Sequence, residues 1–137
     1  MNFLLDTNVI SELRRPAKSN AKVLAWAAAT PVSAMFLSAI TIMEIELGTL
    51  LIERKDVDRG RELRAWINER IVPHFNQRIL PIDTTVAQRC AQLHVPQRRP
   101  ERDALIAATA LVHSMTVVTR NVVDFAPCGV TVFNPWD

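Results

Sequence analysis

The chain has 137 residues, 49% of them hydrophobic, which suits one compact α/β domain spanning 1–137 and leaves too little for a second domain with its own core. Its formal charge of +2 sets 16 Lys and Arg against 14 Asp and Glu, and 13 of the 16 cations are arginines, the side chain best shaped for two-pronged phosphate contacts. Only three glycines occur, with no Gly-rich run to cradle a nucleotide phosphate, so P-loop and dinucleotide-binding readings are excluded.

In chain order, Asn2-Phe3-Leu4-Leu5 reads as a short buried strand closing on Asp6, and residues 7–13 read as a helix. Arg14-Arg15-Pro16 breaks the chain. Residues 20–29 form the next helix, with Val23, Leu24 and Ala27 on one face, and Pro31 ends it. A second strand spans 34–38 and leads into a helix that carries Glu44 and runs to about Arg54. Residues 58–72 place Leu63, Ile67 and Ile71 at intervals of four, beside Trp66, with charged residues opposite; this predicts one amphipathic helix.

Residues 79–82 are a short strand, Asp83-Thr84-Thr85 a cap, and Val86, Cys90 and Leu93 the buried side of the following helix. The basic loop 97–102 runs straight into Asp103. An acid there favours a helix N-terminus by capping and by the dipole, and residues 104–112 are apolar nearly all round, as for a helix packed on a sheet. Thr116-Val117-Val118-Thr119 is another strand, Asn121 a turn residue, and Asp124 follows; residues 130–133 supply a last edge strand. Alternating strands and helices predict a three-layer α/β/α fold around a mostly parallel sheet of about five strands. Functional groups then gather at the carboxyl ends of the strands.

Four acids, Asp6, Glu44, Asp103 and Asp124, each sit where an element begins, ends or crosses that edge. Singly, each has a structural explanation as a cap or a solvated helix residue. Together they suggest an oxygen-donor pocket for a hard divalent cation. No histidine pair or GxSxG turn offers a metal-free route, and His74, His94 and His113 read as structural. Cys90 and Cys128 lack CxxC spacing and read as small buried side chains. Asp6 interrupts the first apolar stretch and the longest apolar tract, 104–119, contains His113, so a cytoplasmic protein without a membrane span is expected.

The blocks Leu4-Leu5-Asp6-Thr7-Asn8-Val9-Ile10-Ser11-Glu12-Leu13, Ser38-Ala39-Ile40-Thr41-Ile42-Met43-Glu44-Ile45, Asp103-Ala104-Leu105-Ile106-Ala107-Ala108-Thr109-Ala110 and Val118-Thr119-Arg120-Asn121-Val122-Val123-Asp124-Phe125 resemble the PIN-domain family in order and spacing. Within it they look like the VapC-type ribonuclease toxins, close to the FitB-like branch. The resemblance implies an endoribonuclease dependent on Mg²⁺ or Mn²⁺, with Asp6, Glu44, Asp103 and Asp124 as the catalytic quartet and Asp6, Asp103 and Asp124 as metal ligands. Thr7, Asn8, Thr119 and Asn121 match accessory positions. Arg120, and the loop arginines Arg98, Arg99 and Arg102, are candidates for gripping RNA phosphates, and Glu46 lies outside the motif. The implied partners are an RNA substrate, a VapB-like antitoxin through which operator DNA is bound, and a second copy of the chain, for which the helices spanning 39–72 are candidate surface.

A haloacid-dehalogenase-type phosphotransferase also starts from an aspartate at a strand end but needs a second Asp where this chain has Asn8; a receiver domain needs paired acids near the first strand, which are lacking, and a lysine where this chain has Arg120. The remaining alternative is a binding module that serves only as the partner of an antitoxin.

Overall fold

A computed structural model describes residues 1–137. Its strands are β1 (Phe3–Leu5), β2 (Met35–Ser38), β3 (Ile79–Leu80), β4 (Thr116–Val118) and β5 (Val132–Phe133), in the spatial order β3-β2-β1-β4-β5 and parallel throughout. The helices are α1 (Thr7–Leu13), α2 (Ala21–Ala29), α3 (Ala39–Glu53), α4 (Val57–Trp66), α5 (Val72–His74), α6 (Thr84–Leu93), α7 (Glu101–Val112) and α8 (Val122–Phe125). The three-layer α/β/α architecture expected from the sequence is the one observed.

Alternation along the central strands builds two cores. Leu4 and Leu5 are both fully buried yet point to opposite faces, as do Val117 and Val118 opposite them in register. Leu4 and Val117 join Val86, Ala107 and Phe125 under α6 and α7, whereas Leu5 and Val118 join Val9, Ile10 and Ile67 on the other side. Each such side chain contributes on the order of 1.5–3 kcal/mol by leaving water. The alanines 104, 107, 108 and 110 of α7 are wholly buried, and their small size lets that helix lie close against the sheet.

The expected helix over 58–72 is not uniform. It is α-helical to Trp66, widens to a π-helical segment over Ile67–Ile71, where Val72 N–H donates to Ile67 O, and resumes as α5. Pro73 has no N–H to give to the Glu69 carbonyl, and the widened turn keeps both Ile67 and Ile71 buried while the chain accommodates the ring.

Arg64 ties this helix to α3, meeting Glu46 at 2.6 Å and Glu53 at 3.3 Å, so Glu46 is a partner of Arg64 and not of the four acids. The same contact fixes Gly60, whose added Cβ would stand 2.5 Å from Glu53 Cγ and 2.7 Å from its Cα. Gly60→Ala is expected to lower stability by about 1–2 kcal/mol despite the better helix propensity of Ala, read as an earlier melting midpoint.

The topology locates the site. From β1 the chain winds outward to β2 and β3 and then returns to place β4 on the other side of β1, so the winding reverses between β1 and β4. Crossover helices diverge there and leave a crevice at the carboxyl ends of the two strands. Asp6 and Thr119 are the residues that follow those ends.

Candidate active site

Asp6 is only 6% exposed, an unusual burial for a carboxylate, and the surrounding donors explain how it is tolerated. Its backbone N–H continues the β1-β4 ladder to Val118 O at 2.9 Å. Its side chain caps α1, accepting from Thr7 N at 2.8 Å through Oδ1. Oδ2 accepts from Thr119 Oγ1 at 2.7 Å and from Asn8 Nδ2 at 3.3 Å. Burial raises the Asp6 pKa; the bonds from Thr119 and Thr7 oppose that, and the charge of Glu44 adds to it.

The accessory positions form one network across the crevice. Asn8 Nδ2 also donates to Thr119 Oγ1 at 3.2 Å, and Asn8 Oδ1 accepts from Arg120 N at 3.3 Å, which joins the start of α1 to the segment after β4. Thr119 Oγ1 further accepts from Asn121 N at 2.9 Å, and Asn121 Nδ2 donates to Asp124 Oδ2 at 2.7 Å. Thr7 Oγ1 donates to Glu44 Oε1 at 2.7 Å. Thr7, Asn8, Thr119 and Asn121 therefore all orient acids of the quartet.

Glu44 reaches the crevice from the second turn of α3, whose start is capped by the buried Ser38 at the end of β2. Asp103 is not a cap: α7 begins at Glu101 after Pro100, which makes no side-chain cap bond, and Asp103 lies within the first turn. Its carboxyl instead shares a hydrogen bond with Asp124 and feels the charges of Asp6, Asp124 and Glu44; desolvation is the largest influence, and together they push its pKa up to about 6. The helix dipole favours an anion at this end of α7 and is outweighed.

The arginines separate. Arg102 Nη1 stands 3.7 Å from Glu44 Oε2 at the rim of the site. Arg98 pairs with Glu101 at 3.8 Å on the exposed surface. Arg99 N donates to His94 Nδ1 at 2.9 Å, and its guanidinium lies near Cys128, where it opposes the burial that pushes the thiol up. Arg120 is exposed, its guanidinium 5.4 Å from the centre of the Trp136 ring. Of the four cations expected to face substrate, Arg102 alone touches a carboxylate of the quartet. His94 and the buried thiols Cys90 and Cys128 have structural settings, as expected.

The side chains form no ready-made group of three or more His, Cys, Asp or Glu set to hold a metal ion. Glu44 is held by Thr7 and Arg102, and Asp124 by Asn121. The chemistry of the donors nevertheless fits a hard divalent cation: the four acids supply only oxygens, and the Asp103 pKa is raised by burial and, after it, by the charges of Asp6, Asp124 and Glu44. Beyond Thr7 and Glu44 the site continues as a cavity of ≈ 170 Å³ that reaches Arg14 and Trp66. Neither residue was associated with the site by its sequence position, the first read as a chain break and the second as part of a helix stripe.

The sequence profile of the PIN domain matches residues 3–125. The chain is 41% identical to Toxin FitB of Neisseria gonorrhoeae and 32% identical to VapC ribonuclease Y4jK of Sinorhizobium fredii, in both cases over 98% of each chain. The crystal structure of FitAcB from Neisseria gonorrhoeae superposes with a TM-score of 0.89 at 40% identity over 98% of both chains. With the fold, the profile match and the sequence identity in agreement, the chain belongs to the PIN-domain family.

Proposed function

We propose that this protein is a metal-dependent endoribonuclease and the toxin of a type II toxin-antitoxin pair. The observation that carries the reading is the gathering of Asp6, Glu44, Asp103 and Asp124 at the crevice between β1 and β4, where burial and then the charges of the other three push the Asp103 pKa up to about 6. The names of the relatives, a toxin and a VapC ribonuclease, supply the substrate class. The similarity to FitAcB and to FitAB bound to a DNA fragment, the latter at 41% identity, supports an antitoxin partner and operator DNA bound through it. A homodimer completes the proposed assembly. No helix is long and apolar enough to cross a membrane.

In the proposed mechanism Asp6, Asp103 and Asp124 hold Mg²⁺ or Mn²⁺. When bound, the ion supplies Lewis acidity toward a phosphodiester oxygen and makes water a better nucleophile at neutral pH. The rest is the work of side chains. Asp6 keeps one orientation because Thr7 N, Thr119 Oγ1 and Asn8 Nδ2 converge on it. Glu44, steadied by Thr7, accepts the proton of the attacking water. Attack at phosphorus with departure of the 3′ oxygen, which takes up a proton, leaves a 5′-phosphate and a 3′-hydroxyl. Arg102, half exposed beside Glu44, faces the path by which a phosphate enters.

The test is cleavage of a structured RNA pool by the partner-free protein in Mn²⁺ or Mg²⁺, against EDTA and Asp6→Asn, with end-group analysis. Metal-dependent cuts bearing 5′-phosphates, lost in Asp6→Asn, are expected. A folded protein that neither cuts RNA nor slows growth on expression would return the chain to the binding-module reading.

A further inference from the structure

The cavity that leaves the site beside Thr7 and Glu44 is lined along its length by Ser11 and Thr49 and closes on Arg14 and Trp66. Arg14 is partly buried at the end of α1, with its guanidinium carbon 6.0 Å from the centre of the Trp66 ring, near the outer limit of a cation–π contact. No ion pair of the molecule includes it. Burial is the chief cause that lowers its pKa, and the next two are the positive charges of Arg15 and Arg59, outweighing the one acid that acts on it, Glu62. A half-buried guanidinium that forms no ion pair and has two further arginines nearby can bind an anion on its side facing the notch, while Glu62 and Glu69 line the pocket on its other side.

Resting on the endoribonuclease reading above, we propose that Arg14 and Trp66 form a nucleotide subsite for single-stranded RNA, where Arg14 grips a backbone phosphate next to the scissile one and Trp66 offers its ring to the adjoining base. Two features of the notch favour RNA as the occupant. It reaches Glu44, the one acid of the four that lines it, so a strand lying in it is directed toward the crevice. It pairs a phosphate-seeking cation with a flat π surface, the two elements that single-strand binding uses without demanding a sequence. Its other walls are mixed, with Ser11, Thr7 and Thr49 alternating with Ile45, Ile52 and Leu63. The larger cavity on the other side of Trp66, ≈ 360 Å³ and lined by Leu24, Val32 and Met35 among others, is almost wholly apolar and lacks an acid. Trp66 and Arg14 line both cavities and divide them.

The experiment is fluorescence anisotropy with a ten-nucleotide, 5′-fluorescein-labelled single-stranded RNA in EDTA, so that no cleavage intervenes, over a series of salt concentrations. Arg14→Gln is expected to weaken binding about tenfold and to make the logarithmic salt dependence shallower by about 0.7, the loss of one single-strand phosphate contact. Arg14→Lys is expected to keep the salt slope. Trp66→Leu is expected to weaken binding about tenfold and leave the slope unchanged. Because Trp66 also packs on the core, its melting curve is recorded alongside, and Arg14→Gln stands as the independent test.

In Mn²⁺, Arg14→Gln is expected to raise KM with kcat retained. Unchanged affinity and slope in Arg14→Gln would overturn the subsite. So would intact RNA binding combined with lost binding of a partner protein, which would assign the notch to a peptide. Cleavage by the wild-type protein that disappears in Asp6→Asn keeps the nuclease reading standing in either case; a wild-type protein that binds but never cuts RNA removes that reading and the subsite with it.

Discussion

Asp103→Asn is expected to make the metal-free protein more stable at pH 7.5 while reducing RNA cleavage by more than about 100-fold. Both effects come from one charge. At that pH Asp103, with its pKa pushed up to about 6, is mostly ionised among Asp6, Asp124 and Glu44, and the neutral amide removes the repulsion at nearly constant volume. The amide also retains a donor for Asp124. A melting-temperature gain of about 3–6 °C in EDTA is the expected size. The activity loss follows because substitutions merely beside a metal already cost about 10–100-fold, and Asp103 is assigned as a direct ligand.

The pH dependence of that gain carries a definite sign. The folded pKa of Asp103 lies above its ordinary value of 3.8, so between pH 3.8 and about 6 the folded state binds more protons than the unfolded state. This contribution to stability is fully present below that window and is lost as pH rises through it. The advantage of Asp103→Asn in EDTA should therefore shrink as the pH falls from 7 to 4. Millimolar Mn²⁺ should raise the wild-type melting temperature and raise that of Asp103→Asn less. Equal metal-induced shifts in the two proteins would show that Asp103 is not a ligand.

Why were the quartet and the sheet legible from sequence while much of the surrounding cationic surface was not? Asp6 and Thr119 follow strands whose short apolar runs, Phe3–Leu5 and Thr116–Val118, are buried on both faces, so a local pattern located the strand ends and parallel topology brought them together. The alanine-rich α7 announced its packing in the same way. Local pattern reaches less far for helix entry: an acid before an apolar run suggests a cap, yet α7 starts at Glu101 and turns the Asp103 carboxyl into the crevice.

Side-chain direction along a loop is less legible still. Arg98, Arg99 and Arg102 lie within five residues, yet their side chains go to Glu101, to the neighbourhood of Cys128 and to Glu44 respectively, because the loop enters α7 and only its last arginine faces α3. The widened turn at Ile67–Ile71 leaves the apolar spacing of an α-helix nearly intact, and so has little signature in the apolar pattern. Arg14 and Trp66 meet across more than fifty positions of chain, a contact that neither α1 nor α4 encodes alone.

The second large effect concerns a residue that holds no metal. Thr119→Val is expected to cost about 2–3 kcal/mol of stability and about 10–100-fold in cleavage, while Thr119→Ser retains most of both. Thr119 is completely buried, and valine matches its shape, so packing is preserved and the hydroxyl is isolated as the cause. That hydroxyl gives its proton to Asp6 and receives hydrogen bonds from Asn8 and from the Asn121 backbone. Its loss leaves a buried carboxylate short of one donor and two donors short of an acceptor. Because the Thr119 bond is the strongest influence opposing desolvation, the Asp6 pKa, already raised, should rise further. Asp6 must be ionised to hold a cation, so the acid limb of the cleavage profile should move to higher pH in Thr119→Val and return in Thr119→Ser. Loss of stability with an unmoved acid limb would mean that Thr119 supports the fold alone. A moved limb would show that the network joining α1 to the end of β4 sets the charge on Asp6, and through it the pH range over which the enzyme works.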